Sequence, residues 1–481
     1  MGPRRQRPDR DTSPTAVLLI VCTGVILASL DLFIVNVALP DVAADLDVHS
    51  LADLSWVLNA YAVVYAAFLV LFGRLADRFR REQGFLLGVA IFVLASAACG
   101  MATSLVMLVA FRVVQAAGAA LLTPTSLGLL LASTPPERRH AAVRTWAAVG
   151  GLGAALGPVV GGLLVAADWR WVFLVNVPIG VVALIVGWRR LPHVPGHRVP
   201  VPDLLGALLI TGGVGLLALG LVKATDWGWG NRTTLAVLSA AAVSVTLFVT
   251  HTAHHRNPLI DRSLFALRTF TGASAVAFVF SAAFGAMLLS RVLWAQDVWG
   301  WSPLQTGLAI APGPLLVPIF ATLSGRLVLR FGPGPLIAAG CMFFSIGAAW
   351  WAFAATAQPD YVGEMLGGML LTGVGTGLAL PTLMATGAAS LPAHSFATGS
   401  AVVNMLRQIG MAIGVAVFIA VLGTPRGPSD AVHAYAVTSI LVAAIALAAG
   451  VLALILVRPH ASGEVPTPTS VSLTAEAPTA G

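Results

Sequence analysis

Four charged side chains lie where charge is costly, inside long apolar stretches of the sequence: Asp31, Arg112, Glu364 and Arg407. An ionisable residue in such a stretch is expensive to keep and is usually functional. A buried carboxyl group beside an arginine is subject to two opposing effects, because burial favours its neutral form and the arginine favours its charged form. A site balanced between these effects can bind and release protons near neutral pH.

The elements that carry these residues are predicted to be membrane-spanning helices. Of the 481 residues, 58% are hydrophobic and 10% are charged, and the mean hydropathy is +0.89. Stretches of about 20 apolar residues, long enough to cross a bilayer as an α-helix, recur along the chain. There are fourteen, at residues 16–38, 51–72, 83–103, 105–131, 143–166, 170–189, 203–223, 233–252, 270–291, 303–325, 334–355, 361–384, 397–422 and 432–457. We therefore expect an all-α membrane protein.

The basic residues predict how the chain lies in the membrane. An even number of spans places both termini on one side. If that side is cytoplasmic, 20 of the 27 Lys and Arg residues fall in cytoplasmic segments and 5 in external ones. This bias follows the positive-inside rule. The net charge of +7 thus indicates orientation, and nucleic-acid binding is disfavoured because the arginines are spread over many short loops.

Metal and disulfide chemistry find little support in the sequence. The three cysteines lie in apolar stretches without ligand spacing. His251, His254 and His255 have helical spacing that could bind zinc, but no cysteine or acid lies beside them in the sequence, so a polar interface is the favoured interpretation. We expect no metal and no cofactor.

Two similar loops indicate an internal repeat. Residues 73–79 follow the second span, and residues 325–331 follow the tenth with nearly the same sequence. Secondary transporters are commonly built from such repeats around a central site. We predict a six-helix bundle at 16–190, two inserted helices at 203–252 and a second six-helix bundle at 270–457. The tails, 1–15 and 458–481, are predicted to be disordered because they are polar and rich in Pro, Ser and Thr.

Six motifs in order resemble the fourteen-span drug:proton antiporters of the major facilitator superfamily. They lie at residues 30–40, 73–81, 112–118, 153–162, 169–180 and 404–410. The resemblance runs from about residue 16 to 457 and implies the major facilitator fold, two six-helix bundles plus two extra helices. The sequence departs from the pattern at Arg80 and Ala116, where the family usually has glycine. The second loop copy has Leu329 where the first has Asp77.

Asp31 and Arg112 are the predicted proton-coupling residues. With a rise of about 1.5 Å per residue, both lie roughly 10 Å below the outer surface, in the same bundle. We expect Asp31 to be the main proton site and Arg112 to tune it. The alternative is a permanent structural ion pair.

Other polar residues are candidates for lining a substrate cavity. Glu364 could attract a cationic substrate or be a hydrated rim residue. Arg407 could serve a conformational change or contact a substrate anion, or it could bind carbonyl groups between helices. Arg291 and Asp297 are expected at the membrane interface. The full set of cavity candidates is Asn36, Tyr61, Gln115, Glu364, Asn404 and Arg407.

The resemblance assigns mechanical roles to two further segments. The gating loop, with Gly73, Arg74, Asp77 and Arg78, is implied to contact the start of a helix near 396–399. A carboxylate there would be favoured by the helix N-terminus; otherwise Asp77 is a solvated loop charge. The antiporter motif, with Gly153, Gly157, Pro158, Gly161 and Gly162, is predicted to present small residues to the opposite bundle, at the tenth span.

Together these features predict a monomeric transporter in a bacterial inner membrane, with both termini cytoplasmic. The expected activity is export of a small amphipathic compound, such as an antibiotic, driven by the proton motive force. An exporter of a metabolite or siderophore is the nearest alternative, and uptake by proton symport is disfavoured by the antiporter motif. A membrane enzyme is disfavoured because no HExxH, aspartate-rich or Ser/His/Asp grouping is visible. A sensor that binds without transport is the remaining alternative.

Overall fold

The computed structural model describes residues 13–78, 80–135, 138–194, 203–255, 257–391 and 396–457. Within them the chain forms α-helices and two π-helical segments, with no strand. The first part comprises α1 (Pro14–Asp45), α2 (Leu51–Leu54), α3 (Trp56–Arg78), α4 (Arg81–Gly100), α5 (Leu105–Ser133), α6 (Arg139–Val165), α7 (Trp171–Leu174) and α8 (Asn176–Arg190). Two helices follow, α9 (Leu204–Trp227) and α10 (Arg232–His254).

The second part begins with a short helix that the sequence did not predict, α11 (Arg262–Ala266). It continues with α12 (Arg268–Leu293), the first π-helical segment (Trp294–Val298), α13 (Pro303–Ile310), α14 (Pro312–Phe331) and α15 (Pro333–Ala354). The last elements are the second π-helical segment (Tyr361–Leu366), α16 (Gly367–Ala389), α17 (Phe396–Leu422) and α18 (Pro428–Leu456). Of the predicted tails, residues 1–12 and 458–481 lie outside the described residues. The prediction of disorder is wrong for Pro14 and Thr15, which form the start of α1.

Every predicted span coincides with helix. By length and hydropathy, 13 helices of the described residues are able to cross a membrane. The remaining predicted span, 143–166, falls on α6, whose apolar part Val149–Val165 is shorter. Several helices are longer than the spans predicted for them. The first span was predicted to end at residue 38, but α1 continues through Pro40 to Asp45.

The same helix neighbours occur twice. In the first half α1 packs against α6 and α8, α5 packs against α3 and α4, and α4 packs against α8. In the second half α12 packs against α17 and α18, α16 packs against α14 and α15, and α15 packs against α18. Thus α12 is the counterpart of α1, and α16 is the counterpart of α5. The predicted fold of two six-helix halves with two extra helices is confirmed.

The inserted helices lie beside the contact between the halves. We call the side where α1 ends the distal face and the side where it begins the proximal face. Helix α9 packs against α10, α3 and α17. Near the distal face, the Lys223 amine of α9 binds Asp53 at 2.6 Å and Asp226 at 3.0 Å. The insertion is therefore attached along the line where α3 meets α17.

The halves approach through their backbones near the distal face, where α6 meets α13. A Cβ atom added at Gly162 would lie 2.6 Å from the carbonyl oxygen of Pro303. One added at Gly307 would lie 2.3 Å from the carbonyl oxygen of Pro158. Only a residue without a side chain allows this approach. We call this contact the distal seam.

The antiporter motif presents two different faces. At Gly153, Gly157 and Gly161 an added Cβ would lie 2.7–3.3 Å from an atom of α1, in the same half. The prediction that the motif faces the opposite bundle is wrong for these three glycines and correct for Gly162. Residues four apart share a face of a helix, so the row 153, 157 and 161 faces α1 while Pro158 and Gly162 face α13.

A side chain at Gly162 should open the distal seam. Gly162→Val would force α6 away from α13, because the atom it meets belongs to the backbone. The readout is maleimide labelling of a cysteine introduced at Gln296, which donates to the Val37 carbonyl across the halves at 3.1 Å. The native cysteines are buried and give low background.

Labelling should become severalfold faster in Gly162→Val. The matched control is Gly151→Val, since a Cβ added at Gly151 has no neighbour within 4 Å. Equal labelling rates in both variants would show that the seam does not depend on close backbone contact.

Candidate functional site

A network of buried polar side chains joins four helices of the first half. Its members are Asp31 of α1, Ser96 of α4, Arg112 and Gln115 of α5, and Asn176 at the start of α8. All five have 0% of their surface exposed. Such a cluster in an apolar interior requires nearly complete hydrogen bonding.

Both carboxylate oxygens of Asp31 accept hydrogen bonds. Arg112 Nη1 donates to Oδ2 at 2.5 Å. Gln115 Nε2 donates to Oδ1 at 2.8 Å, and Asn176 Nδ2 donates to the same oxygen at 3.3 Å. Three donors and one positive charge stabilise an ionised carboxylate at this position. The sequence placed Asp31 and Arg112 at equal depth, and the structure brings them into contact.

The guanidinium of Arg112 is held on several sides. Its Nε donates to the carbonyl oxygen of Val57 at 3.1 Å, and its Nη1 also donates to Gln115 at 2.7 Å. The ring of Tyr61 covers it, with 4.1 Å between the guanidinium carbon and the ring centroid. An arginine over an aromatic face is attracted to the π electrons. Of its nitrogens, Nη2 has no hydrogen-bond partner among the described residues.

Two members of this network escaped prediction, Ser96 and Asn176. The Ser96 hydroxyl donates to the carbonyl oxygen of Phe173 at 2.9 Å and accepts from Gln115 and Asn176 at 3.0 and 3.1 Å. Asn176 lies in the fifth motif, which could have identified it. Ser96 stands alone in an apolar span and gives no signal.

The structure divides the predicted cavity candidates among several environments. Gln115 belongs to the Asp31 network, and Tyr61 covers its arginine. Asn36 donates to carbonyl oxygens of its own helix at 3.2 and 3.3 Å. Glu364 is 1% exposed and accepts a hydrogen bond from the Thr356 backbone at 3.0 Å. Whether they contact a substrate stays a prediction.

Asn404 and Arg407 lie together on α17, at the contact with α3. Arg407 Nη1 donates to Asn404 Oδ1 at 3.0 Å and contacts the sulfur of Met384 at 3.9 Å. Arg407 is also close enough to Tyr65 of α3 to interact with it electrostatically. Tyr65 stacks on Tyr61, with 5.9 Å between ring centroids. Two tyrosines of α3 therefore lie between the charged network of the first half and the arginine of the second.

Arg291 is buried within the protein, with 2% of its surface exposed. Its position at the membrane interface stays a prediction, because burial among helices does not give its depth in the membrane. The predicted span ended at residue 291, whereas helical structure continues to Val298 through the first π-helical segment. Asp297, the other residue expected at the interface, is exposed.

The gating loop is only partly described. Residues 73–78 form the end of α3. A Cβ added at Gly73 would lie 3.8 Å from Pro124 Cβ on α5. The side chains of Arg74, Asp77 and Arg78, and those at the start of α17, lie outside the described residues. The contact of Asp77 with the start of a helix near 396–399 therefore stays a prediction.

A second polar cluster lies near the proximal face and joins α9 to α10. Asp203 precedes the span that begins at Leu204. It accepts from His251 Nε2 at 2.9 Å, from the Gly206 N–H at 2.8 Å and from the Leu259 N–H at 3.2 Å. The sequence argument that no acid accompanies these histidines is thus wrong, because Asp203 reaches His251 across the helix pair.

The electrostatics of Asp203 follow from these contacts. Burial acts to raise its pKa, but the hydrogen bonds from Gly206, His251 and Leu259 outweigh it, and the pKa is lowered. One ligand atom each of Asp203, His251 and His255 lies within 4.8 Å of the others. The hydrogen bonds give Asp203 a structural function as the cap of α9.

The fold and the buried network define a multi-pass membrane protein of two repeated halves with a charged site inside one of them. A family model described as Major Facilitator Superfamily matches residues 21–415. The chain belongs to this family.

Several relatives are named for antibiotic resistance or export. The tetracenomycin C resistance and export protein of Streptomyces glaucescens is 34% identical over 412 residues, covering 85% of this chain and 75% of that protein. The methylenomycin A resistance protein of Bacillus subtilis (strain 168) is 34% identical, with coverage of 84% and 86%. The cephamycin export protein of Amycolatopsis lactamdurans is 33% identical, with 93% of each chain covered.

Solved structures share the fold. An auto-inhibited peptide transporter of the POT family superposes with a TM-score of 0.66 at 16% identity, covering 94% of this chain and 98% of that one. At this identity the likeness concerns the fold alone.

Removing the charge of Asp31 should destabilise the protein more than removing the whole pair. Asp31→Asn leaves Arg112 buried without its counter-ion, which costs about 3 kcal/mol or more. Asp31→Asn/Arg112→Gln should recover part of this loss in thermal unfolding of the detergent-solubilised protein. A double variant that is less stable than Asp31→Asn would contradict the assignment of an ion pair.

The Asp203 cap should give a pH-dependent contribution to stability. Because the folded-state pKa is lowered, this contribution is present above the unfolded-state value of about 3.9. It is lost as the pH falls through the folded-state pKa. Asp203→Asn should therefore lower the melting temperature at pH 7, and the difference from wild type should shrink below about pH 4. A difference that stays constant into strong acid would mean that the carboxylate charge is not involved.

Proposed function

We propose that this protein exports small amphipathic compounds, antibiotics among them, from a bacterial cell in exchange for protons. Three relatives supply the substrate class, since they are named for tetracenomycin C, methylenomycin A and cephamycin. The repeated halves suit alternating access, in which a central site opens to one side at a time. The excess of Lys and Arg on the proximal side supports a cytoplasmic proximal face, with both termini inside and the chain spanning the inner membrane.

The Asp31 network is the observation that carries the proton coupling. A carboxylate with 0% exposure, paired with an arginine and two amides, is a group whose protonation changes every contact around it. A proton on Asp31 would remove the charge that holds Arg112. The guanidinium would then be retained by the Val57 carbonyl, Gln115 and the Tyr61 ring.

The neighbours of Arg112 offer a route from this event to the rest of the molecule. Tyr61 covers Arg112 and stacks on Tyr65, and Tyr65 lies near Arg407 of the second half. A shift of Arg112 would thereby displace Tyr61 and Tyr65 and change the contact of α3 with α17. The proposed energy source is the proton motive force, with no cofactor, and the proposed working unit is the monomer. Transport, rather than an enzymatic reaction, is the proposed activity.

Export of a compound that the host makes for itself is a second candidate. It is favoured by the names of two relatives, the cephamycin export protein and a probable actinorhodin transporter of Streptomyces coelicolor, which is 32% identical. Deleting the gene in its host and comparing culture supernatants separates the two functions. Loss of a secreted compound favours the second, and unchanged supernatants with increased drug sensitivity favour the first.

Drug export should require the carboxyl group of Asp31. In an efflux-deficient host the wild type should raise tolerance to tetracenomycin C, methylenomycin A or the lipophilic cation ethidium, and a protonophore should abolish this protection. In proteoliposomes an imposed pH gradient should drive ethidium transport. Asp31→Asn should lose the gradient-driven flux at equal amounts of folded protein, while exchange of labelled for unlabelled ethidium continues.

The matched control is Asp430→Asn, because Asp430 is an exposed acid at the start of α18. It should retain full gradient-driven transport. Gradient-driven flux at the wild-type level in Asp31→Asn would identify the Asp31–Arg112 pair as purely structural. Absence of protection against every compound would contradict drug export itself.

A further inference from the structure

A second buried acid and a second buried base lie near each other in the C-terminal half, Glu364 and Arg291. Their exposed fractions are 1% and 2%. Arg291 lies on α12, the counterpart of α1, and Glu364 lies in the second π-helical segment, which leads into α16, the counterpart of α5. The acid and the base have therefore exchanged helices relative to Asp31 and Arg112. Both pairs lie toward the distal face.

The two carboxyl groups have very different surroundings. Asp31 receives three donors and an arginine, as described above. Glu364 Oε2 accepts from the backbone N–H of Thr356 at 3.0 Å and from its hydroxyl at 3.4 Å. Glu364 Oε1 is buried without a hydrogen-bond partner among the described residues.

The nearby arginine has other partners. Arg291 Nη2 donates to the hydroxyl groups of Ser290 and Ser439 at 2.8 and 3.1 Å. Its guanidinium carbon lies 4.7 Å from the centroid of the Trp351 ring and 5.9 Å from that of Trp294. Aromatic faces and hydroxyl groups stabilise the cation. Arg291 interacts with Glu364 only at a distance, without a hydrogen bond between them.

The energetic consequence concerns the charge of Glu364. A buried carboxylate with one unbonded oxygen and no ion pair costs far more free energy than the neutral acid. We propose that Glu364 is a second proton-binding group of this transporter and that it holds its proton in the described conformation, in which Asp31 is ionised. This inference rests on the proposed function for its role in transport, but not for its protonation state.

The charged groups around Glu364 are few. Arg291 faces it from α12, and Asp360 directly precedes the segment that contains Glu364. Tyr435 of α18 lies beside Arg291 rather than beside Glu364. Helices α13, α15 and α16, which also pack against this segment, contain no charged residue. The balance between the two states of Glu364 is thus set chiefly by burial and by its distance from Arg291.

The local backbone can change that distance. Glu364 lies in the second π-helical segment, and the first π-helical segment begins three residues after Arg291, directly after α12. Such segments are uncommon and occur frequently at functional sites. Trp299, which directly follows the first π-helical segment, donates from Nε1 to the Thr356 carbonyl at 3.1 Å. The backbone N–H of Thr356 in turn donates to Glu364.

The proposed proton step involves only Glu364 and water. When the distal seam opens, water reaches Glu364, and its O–H bond breaks or forms by proton exchange with that water. A hydronium ion supplies the proton on binding and is regenerated on release. The ionised form is stabilised when it approaches Arg291.

Infrared spectroscopy of the full-length protein in liposomes tests the protonation state without any substrate. The wild type at pH 7 should show the C=O stretching band of a buried protonated carboxyl group. Glu364→Gln should lose it and Asp430→Asn should keep it. Should Glu364→Gln fail to fold, Glu364→Asp serves, since it should shift the band. A band unchanged in these Glu364 variants would overturn the proposal.

The role in transport is tested by the proton-to-ethidium ratio, measured from the gradient that just prevents net flux. Glu364→Gln should lower the ratio by about one proton per ethidium, while Asp430→Asn leaves it unchanged. Loss of the infrared band with an unchanged ratio would overturn the transport role. Failure of the proposed function would appear separately, as absence of gradient-driven flux in the wild type.

Discussion

The buried charge of Asp31 is the constraint on which the first half of this protein depends. A carboxylate in an apolar interior needs donors for its oxygens, and here the donors come from helices other than the one that carries Asp31. Here α5 provides an arginine and a glutamine, α8 provides an asparagine, and α4 provides the serine that holds the two amides. Four helices thus meet at one point, and their relative register is fixed by polar contacts. Packing of aliphatic side chains alone tolerates small shifts, whereas this network does not.

The helix that carries Asp31 also contacts both α6 of its own half and the opposite half. One face of α1 receives the glycine row of α6, and its backbone at Val37 accepts a hydrogen bond from Gln296 of the second half. Glycine contacts allow close approach without interlocking side chains. A change in charge at Asp31 would therefore act on a helix with three kinds of contact. One face is held by the polar network, another packs against the glycines of α6, and the distal part contacts the opposite half. That combination suits a rigid-body movement of one half against the other.

The sequence predicted the spans and the equal depth of Asp31 and Arg112 because both depend on local information. Hydropathy identifies each span, and the rise of a helix converts residue position into depth. Ser96 and Asn176 could not be found in this way, since a neutral polar side chain can also bond within its own helix. Asn36 does so, while Asn176 bonds to Asp31, 145 positions away in the sequence. The residue type is the same, and only the tertiary neighbours distinguish the two.

The errors have a common origin at helix ends and helix faces. The span that carries Arg291 was predicted to end at residue 291 because the apolar stretch ends there, but helical structure continues through the π-helical segment to Val298. The antiporter motif was predicted to contact only the opposite bundle. In the structure its glycines contact two helices, since Gly153, Gly157 and Gly161 face α1 and Gly162 faces α13. Continuous stretches in a sequence do not indicate which face of a helix a residue occupies.

The exchanged acid and base distinguish two halves that are otherwise built alike. Equivalent helices pack in equivalent ways, so the backbone alone gives the two halves similar mechanical properties. The first half holds its carboxyl group in full contact with arginine, and the second holds it apart. Under the proposed protonation states, ionised Asp31 and neutral Glu364, a change of pH would alter the contacts of the two halves in different ways. The two halves therefore combine the same helix packing with different surroundings for their buried carboxyl groups, so that protonation of one group would leave the contacts of the other unchanged.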